Sequence, residues 1–247
     1  MKTSAILKKS VVFALAILMV LTTVLAAIPA FAAEPEEPTS LFQVGETNYL
    51  AAEIDSAIAD SVDSGKPIVL LGDASINVKP FLTFVVDKGN YALSVSTEHG
   101  YSVDVLENRD GTVTVASYKN QGEVISTMNL ALSGTIAMKF YFTDLGVLKT
   151  NDEAYMKIVV PRNDDLPDKV IKAYADDFDI DTKGRYVISV SVAAAQQTDY
   201  ITLQVVNGDQ VGRLRRYTVK NYADLILANA DKYPDSVEPI KAVLNYG

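Results

Sequence analysis

The chain has 247 residues, of which 22 are basic and 31 acidic, and its net charge of −9 argues against nucleic acids and anionic membranes as partners. It contains no cysteine and one histidine, which excludes disulfides, thiolate metal sites and multi-histidine metal sites. A chain of this length can bury a hydrophobic core without covalent cross-links, in one or two domains.

Residues 1–32 have the pattern of an export signal. Three lysines precede an uncharged apolar run, residues 11–27, and Ala30-Phe31-Ala32 then gives the small-x-small motif of a cleavage site. The alternative is a membrane anchor, but the run is near the lower length for spanning a bilayer. Removal of residues 1–32, which contain those three lysines and no acid, would leave 215 residues with a net charge of −12. We therefore predict a secreted or cell-surface protein with no membrane segment after cleavage.

The first predicted domain, residues 41–120, follows an acidic, proline-rich linker at residues 33–40, for which we expect no fixed structure. A helix is predicted over residues 49–64, because apolar residues recur there at every fourth position. Asn48 is its candidate N-cap, and Gly65 is its expected C-terminal stop.

From residue 67 the pattern becomes that of short strands. A continuous apolar run flanked by glycines is typical of a buried strand, and later runs alternate between apolar and polar residues. Between two alternating runs lies Asn108-Arg109-Asp110-Gly111, a hairpin signal because glycine accepts the positive φ of the turn. The strands predicted here, with one short strand before the helix, are residues 41–44, 68–71, 76–78, 82–86, 91–95, 101–105 and 112–115.

Three stretches of this domain resemble the opening of β-solenoid regions in bacterial surface proteins. They are V-G-E-T-N-Y-L-A-A-E-I-D-S-A-I-A-D at 44–60, P-I-V-L-L-G-D-A-S-I at 67–76, and G-Y-S-V-D-V-L-E-N-R-D-G-T-V-T-V at 100–115. The resemblance implies that the helix caps a short solenoid-like segment in which each strand supplies one edge of a rung.

The second predicted domain, residues 121–247, has the pattern of a β-sandwich. Several short strand-like runs are separated by turn residues, among them Ser133-Gly134 and Asn207-Gly208. The strands predicted here are residues 126–132, 135–142, 155–160, 170–173, 185–192, 200–206 and 212–219.

Two helices are predicted at the C-terminal end, and they should close one end or edge of the sandwich because such short helices need a partner surface. Asp235 or Ser236 is the candidate N-cap of the second helix. The residues expected to face inward are Tyr222, Leu225, Ile226 and Asn229 in the first helix and Val237, Ile240, Val243 and Leu244 in the second.

This second half resembles an uncharacterised β-rich module of secreted, multidomain surface proteins of anaerobic Firmicutes. The stretches that carry the resemblance are G-T-I-A-M-K-F-Y-F at 134–142, G-R-Y-V-I-S-V-S-V-A-A-A-Q-Q-T-D-Y-I-T-L-Q-V-V-N-G-D at 184–209, and Y-T-V-K-N-Y-A-D-L-I-L-A-N-A-D at 217–231. The resemblance covers residues 124–247 and implies a Gram-positive anaerobe as the source. It implies no enzymatic activity and no binding residues.

Candidate chemistry is sparse, and we predict no catalytic, cofactor-binding or metal-binding residues. The candidate calcium ligands are Asp177, Asp179 and Asp181, whose alternation would place three carboxylates on one side of an extended segment. The EF-hand pattern is not met, because Thr182 stands where its glycine belongs. His99 has no nucleophile or ligand at a recognisable spacing, so we interpret it as a surface residue in a turn.

Two other features bear on function. Arg213, Arg215 and Arg216 form a basic cluster that is too small for nucleic acid and is expected to be solvated or paired with acids. The 13 tyrosines and the absence of tryptophan weaken a carbohydrate-binding function without removing it. Asp164, Asp165 and Asp168 lie in an expected loop and match no catalytic motif.

These observations predict a secreted or cell-surface, non-catalytic structural or adhesion module that binds a cell-surface protein or glycan. Protein binding through an exposed sheet edge or face is the favoured mechanism. The alternatives are a carbohydrate-binding module of a polysaccharide-degrading system and a polysaccharide hydrolase or lyase.

Overall fold

The computed structural model describes residues 39–132, 136–162 and 166–246, and from Ser40 onward they belong to one compact unit. The predicted fold class is confirmed: the chain is mainly β, with an N-terminal helix and two C-terminal helices. The predicted signal peptide, nearly all of the linker, and the turn at Ser133-Gly134 lie outside the described residues. No described helix has the length and apolar character needed to cross a bilayer.

The first part contains a six-stranded sheet with the spatial order β2-β1-β3-β5-β8-β7 and a separate parallel pair, β4 and β6. Its strands are β1 Phe42–Val44, β2 Thr47–Tyr49, β3 Ile68–Leu70, β4 Ala74–Val78, β5 Thr83–Asp87, β6 Leu93–Thr97, β7 Ser102–Glu107 and β8 Val113–Tyr118. Alternate residues of β4 and β5 face a common hydrophobic core, which follows from the two-residue side-chain period of a strand.

Parallel pairing is confined to two places in this part. Ile68 of β3 lies opposite Val86 of β5, and Ala74 of β4 lies opposite Leu93 of β6. Two successive strand pairs, β3–β4 and β5–β6, are therefore stacked in parallel. The next strand on the sheet, β8, pairs with β5 in the antiparallel direction, so the parallel stacking stops after two layers. The solenoid-like segment stays a prediction.

Helix α1, Ile54–Ser64, covers one side of this sheet with Ala57 and Ile58 buried. It ends as predicted at Gly65, whose φ of 69° is left-handed and whose N–H donates to the carbonyl of Ser61. The predicted start was wrong. Tyr49 belongs to β2, and its hydroxyl donates to Asp60 of the helix. A 3₁₀ turn, Ala51–Glu53, precedes α1, so Asn48 is not its cap.

The second part has a four-stranded sheet, β13-β14-β10-β9, and a five-stranded sheet in which β12, β11, β15 and β16 are adjacent and β17 also pairs with β15. Their strands are β9 Glu123–Ala131, β10 Ala137–Leu145, β11 Tyr155–Val160, β12 Lys169–Ala173, β13 Asp179–Ile180, β14 Tyr186–Ser191, β15 Ile201–Asn207, β16 Gln210–Val211 and β17 Arg215–Tyr217. Both sheets contribute to one core, which includes Phe140, Phe142, Ile158 and Leu203. The predicted sandwich-like arrangement is confirmed.

The β7–β8 hairpin of the first part contacts the second part through polar side chains. The turn formed by Asn108 and Gly111 is the hairpin that the sequence predicts. Arg109, Arg213 and Arg216 make these contacts. The guanidinium carbon of Arg216 also lies 4.6 Å from the ring centroid of Tyr200. The ion pairs and hydrogen bonds are Arg213–Asp104 at 2.7 Å, Arg109–Asp199 at 3.1 Å and Arg216 to the carbonyl of Glu107 at 2.8 Å.

Helices α2, Val219–Ala228, and α3, Pro234–Tyr246, follow β17. Thr218 caps α2, because its hydroxyl accepts the N–H of Asn221 at 2.9 Å. Neither Asp235 nor Ser236 caps α3. The helix already begins at Pro234. Proline suits the first helical position because its fixed φ matches that of a helix, and because the backbone N–H that it lacks would have no hydrogen-bond partner there.

The buried stripe of α2 differs from the predicted one. Val219, Ala223 and Ile226 are buried at positions i, i+4 and i+7, whereas Leu225 is 56% exposed. Asn229 is exposed as well, so the prediction that Leu225 and Asn229 face inward is wrong. Ile240 and Val243 of α3 are buried as predicted: Val243 joins the sandwich core, and Ile240 packs with Ala223 and Ile226 of α2.

The adjacent pair Ile226 and Leu225 provides a matched test of this packing. Ile226→Ala is expected to lower the free energy of unfolding by about 2–5 kcal/mol, because it removes a buried side chain and leaves a cavity. Leu225→Ala is expected to change stability by less than about 0.5 kcal/mol, since surface substitutions usually do. Urea denaturation measures both. Equal losses for the two variants would contradict the placement of α2.

Candidate functional site

A groove of about 570 Å³ lies between strand β9 and the helix pair α2–α3, and we call it the β9–α2 groove. Two strands of the sandwich, one residue just before β14, and both helices contribute to its walls. Its sheet wall includes Thr127, Asn129 and Tyr141, and its helix wall includes Tyr222 and Leu225. Because residues of both helices line the groove, the helices are docked against the sheet and do not extend into solvent.

The sheet wall follows from strand register. Met128 of β9 lies opposite Phe140 of β10, which is buried in the core, whereas Thr127 lies opposite Tyr141. Because successive residues of a strand point to opposite faces, Thr127 and Tyr141 lie on the outer face of the sheet. Asn129 shares this face, two positions further along β9. The groove thus obtains polar and aromatic side chains from the face that does not pack into the core.

Arg185 extends this wall from the position just before β14. Its guanidinium carbon lies 4.3 Å from the ring centroid of Tyr141, within the range of a cation–π contact. Its Nε and Nη2 both donate to Oδ2 of Asp181, at 2.9 and 2.7 Å. The guanidinium is therefore held on two sides, by a carboxylate and by an aromatic ring.

Asp181, one of the three candidate calcium ligands, is occupied by these contacts. Its Oδ1 accepts the backbone N–H groups of Arg185 and Lys183, each at 2.9 Å. The backbone hydrogen bond from Arg185 holds the pKa of Asp181 below its ordinary value, and burial opposes that shift in part. Asp181 thus positions Arg185 through its ionised form.

The other two candidate calcium ligands lie apart from this ion pair. Asp177 accepts the backbone N–H of Tyr174 at 2.8 Å, and Asp179 is exposed in β13. In the described part of the chain, no group of three or more acidic or histidine residues is arranged to hold a metal ion.

The helix wall is joined to the sheet by a hydrogen bond. The hydroxyl of Tyr222 donates to Oδ1 of Asn129 at 3.0 Å, and burial raises the pKa of Tyr222 above its ordinary value. The same Asn129 oxygen accepts the backbone N–H of Leu130 at 2.8 Å. Asn129 therefore connects α2 to the edge of the sheet.

The segment between the two helices forms the rim of the groove. Tyr233 is 38% exposed, and the ammonium of Lys232 lies 5.4 Å from its ring centroid. Asn229 lies at the end of α2, where its side-chain amide donates to the carbonyl of Leu225 at 2.8 Å. The rim thus combines an aromatic ring, a cation and a carboxamide.

The side chains of the groove are suited to binding. Hydroxyls and carboxamides can each donate and accept hydrogen bonds, and tyrosine rings combine an apolar face with a polar tip. Among the described residues that line the groove, none is aspartate, glutamate, histidine or cysteine, and its charged members are Arg185 and Lys232. These groups can hold a ligand by stacking, hydrogen bonding and charge.

A second cavity, of about 300 Å³, lies between the 194–198 region and the helices and is lined in part by Gln197, Lys220 and Leu244. Its main polar group has a structural role: Nε2 of Gln197 donates to the carbonyl of Val243 at 2.6 Å and so attaches α3 to the sandwich. This leaves the β9–α2 groove as the stronger candidate site.

Several residues that the sequence singled out lie elsewhere. His99 is an exposed residue in the turn after β6, as predicted. Asp168 is exposed, whereas Asp164 and Asp165 lie outside the described residues. The basic cluster is paired with acids as expected, in that Arg213 contacts Asp104 and Arg215 contacts buried Glu123 at 3.5 Å.

Comparison with known proteins found no matching family model, no matching curated protein and no matching solved structure. The resemblances drawn from the sequence motifs therefore stay predictions, and the site is described from its own geometry.

The contacts of Asp181 predict a pH-dependent contribution to stability. A carboxyl whose pKa is lowered in the folded state stabilises the fold above its ordinary pKa, and this stabilisation is lost as the pH falls through the folded pKa. Asp181→Asn should therefore lower stability at neutral pH and reduce the difference in stability between neutral and acidic solution. Thermal denaturation from pH 7 to pH 2 measures this effect. Asp179→Asn is the control, because Asp179 is exposed, and an equal effect of the two variants would contradict the assignment.

Proposed function

We propose that this chain is a secreted or cell-surface, non-catalytic adhesion module, and that it holds a partner in the β9–α2 groove. The observation that carries the proposal is the composition of the groove. It brings together three tyrosines, Tyr141, Tyr222 and Tyr233, with carboxamides, hydroxyls and two cations. Concave sites with aromatic walls and a few convergent polar groups are the usual places where proteins bind small molecules.

The fixed positions of the wall residues support a binding role. Tyr222 is held by its bond to Asn129, and Arg185 is held between Asp181 and Tyr141. Side chains that are ordered before a ligand arrives lose less conformational entropy when it binds. The groove is therefore preorganised along its sheet wall, and Tyr233 presents a partly exposed ring at its rim.

Two acidic groups outside the groove have lowered pKa values because of turn hydrogen bonds. The side-chain hydroxyl of Thr112 lowers the pKa of Asp110, and the backbone N–H of Gly146 lowers that of Asp144. Both contacts are local turn hydrogen bonds. A general acid or base works best when its pKa is near the working pH, so these carboxylates are tuned away from that role.

A carbohydrate-binding module is the second candidate, and a specific observation favours it. Tyrosine rings and carboxamides meet in one groove, so the lack of tryptophan is offset by three aromatic side chains near each other.

The proposed export of the chain rests on the signal-peptide pattern of residues 1–32.

An array of extracellular-matrix proteins, mucin, and neutral and acidic polysaccharides tests the adhesion proposal. The purified chain should bind at least one component without chemical turnover, and Tyr233→Ala should weaken that binding at least tenfold. Tyr174→Ala is the matched control, because Tyr174 is a comparably exposed tyrosine outside the groove.

Two results would contradict the proposal. Equal weakening by the Tyr233 and Tyr174 variants would show that the groove is not the binding site. Release of reducing ends or unsaturated products from any polysaccharide in the array would show that the module is catalytic.

A further inference from the structure

We infer that the β9–α2 groove takes an acidic glycan, a saccharide that carries carboxylate groups, with Lys232 and Arg185 meeting the carboxylates and Tyr233 meeting a sugar ring. This inference rests on the proposed binding function of the groove and specifies its ligand.

The charge of the groove differs in sign from that of the chain. The chain has a net charge of −9, yet the charged residues that line the described groove are Arg185 and Lys232. Lys232 forms no ion pair with any described residue. Asp181 balances the charge of Arg185, so the positive charge offered to a ligand is mainly that of Lys232. This charge makes the groove electrostatically complementary to an anion.

Arg185 retains a donor for such an anion. Its Nε and Nη2 are bound to Asp181, but its Nη1 makes no hydrogen bond to the described residues. The guanidinium is planar and already fixed by Tyr141, so Nη1 is held in one direction. A carboxylate on the ligand can accept from this group, while the more flexible Lys232 reaches it from the rim as a second cation.

The uncharged groups of the groove fit a sugar. A pyranose has an apolar face, which suits the exposed ring of Tyr233, and a rim of hydroxyls that both donate and accept hydrogen bonds. The carboxamides of Asn129 and Asn229 and the hydroxyls of Thr127 and Ser236 match this mixed requirement. The volume of about 570 Å³ lies within the range of small-molecule sites, so a short stretch of glycan can enter.

An acidic peptide is a poorer match for the same charges. A peptide that adds to a sheet as a new strand needs a free row of backbone donors and acceptors along the edge. At Leu130 the edge N–H of β9 already donates to Asn129, and Tyr222 of α2 binds the same oxygen. The helix thus covers this end of the edge, which favours a glycan over an added strand.

The test compares two ligands with the same sugar chain, one charged and one neutral. Tetragalacturonate and its fully methyl-esterified form would be titrated into the purified full chain by calorimetry. The acidic form should bind at least tenfold more tightly, and raising the salt concentration should weaken it, because salt screens exposed charges. Lys232→Gln should reduce this preference at least fivefold. Lys241→Gln is the matched control, since Lys241 is exposed on α3 but pairs with Glu238 outside the groove.

Four results would overturn the inference. The first is equal binding of the methyl ester, and the second is an equal effect of the Lys232 and Lys241 variants. The third is displacement of tetragalacturonate by hexaglutamate at equal concentration, which would assign the groove to acidic proteins. The fourth is the absence of tetragalacturonate binding. The adhesion proposal would fail separately, through chemical turnover of a polysaccharide or through equal effects of the Tyr233 and Tyr174 variants on binding to the array.

Discussion

The terminal part of the fold depends on the burial of one narrow apolar stripe on α2. Val219 reaches the sandwich core, while Ala223 and Ile226 pack with Ile240 of α3. A helix of ten residues is marginal in water, so tertiary packing of this stripe, more than helix propensity, stabilises α2. The stripe occupies only part of the helix surface. The remaining surface, including Leu225, is therefore left to form one wall of the groove.

The same packing explains how the groove is assembled. Once α2 is fixed beside β9, Tyr222 can bind Asn129, and the loop before α3 carries Tyr233 over the outer face of the sheet. Arg185 reaches this place independently, because its contacts to Asp181 and Tyr141 do not involve the helices. Side chains from three separate stretches of the chain thus converge on one side of the four-stranded sheet.

Much of the fold could be predicted from the sequence, because local patterns determine it. The turn at Gly65 and the hairpin at Gly111 require a positive φ, and the strand β10 shows the alternation of a half-buried strand. The groove could not be predicted in this way. Tyr141 and Arg185 meet through the pairing of β10 with β14, which joins distant parts of the sequence. Leu225 lies one position outside the buried stripe of α2, and helical spacing alone does not distinguish it from its buried neighbour Ile226.

Hydrogen exchange of the full chain, followed by mass spectrometry, tests the central role of the α2 stripe most directly. The account predicts that the amides of α2 are strongly protected and that Ile226→Ala removes this protection while β10 remains protected. Exchange of α2 in the unaltered chain at the rate of an unstructured peptide, with β10 still protected, would contradict the docking of the helix and the existence of the groove.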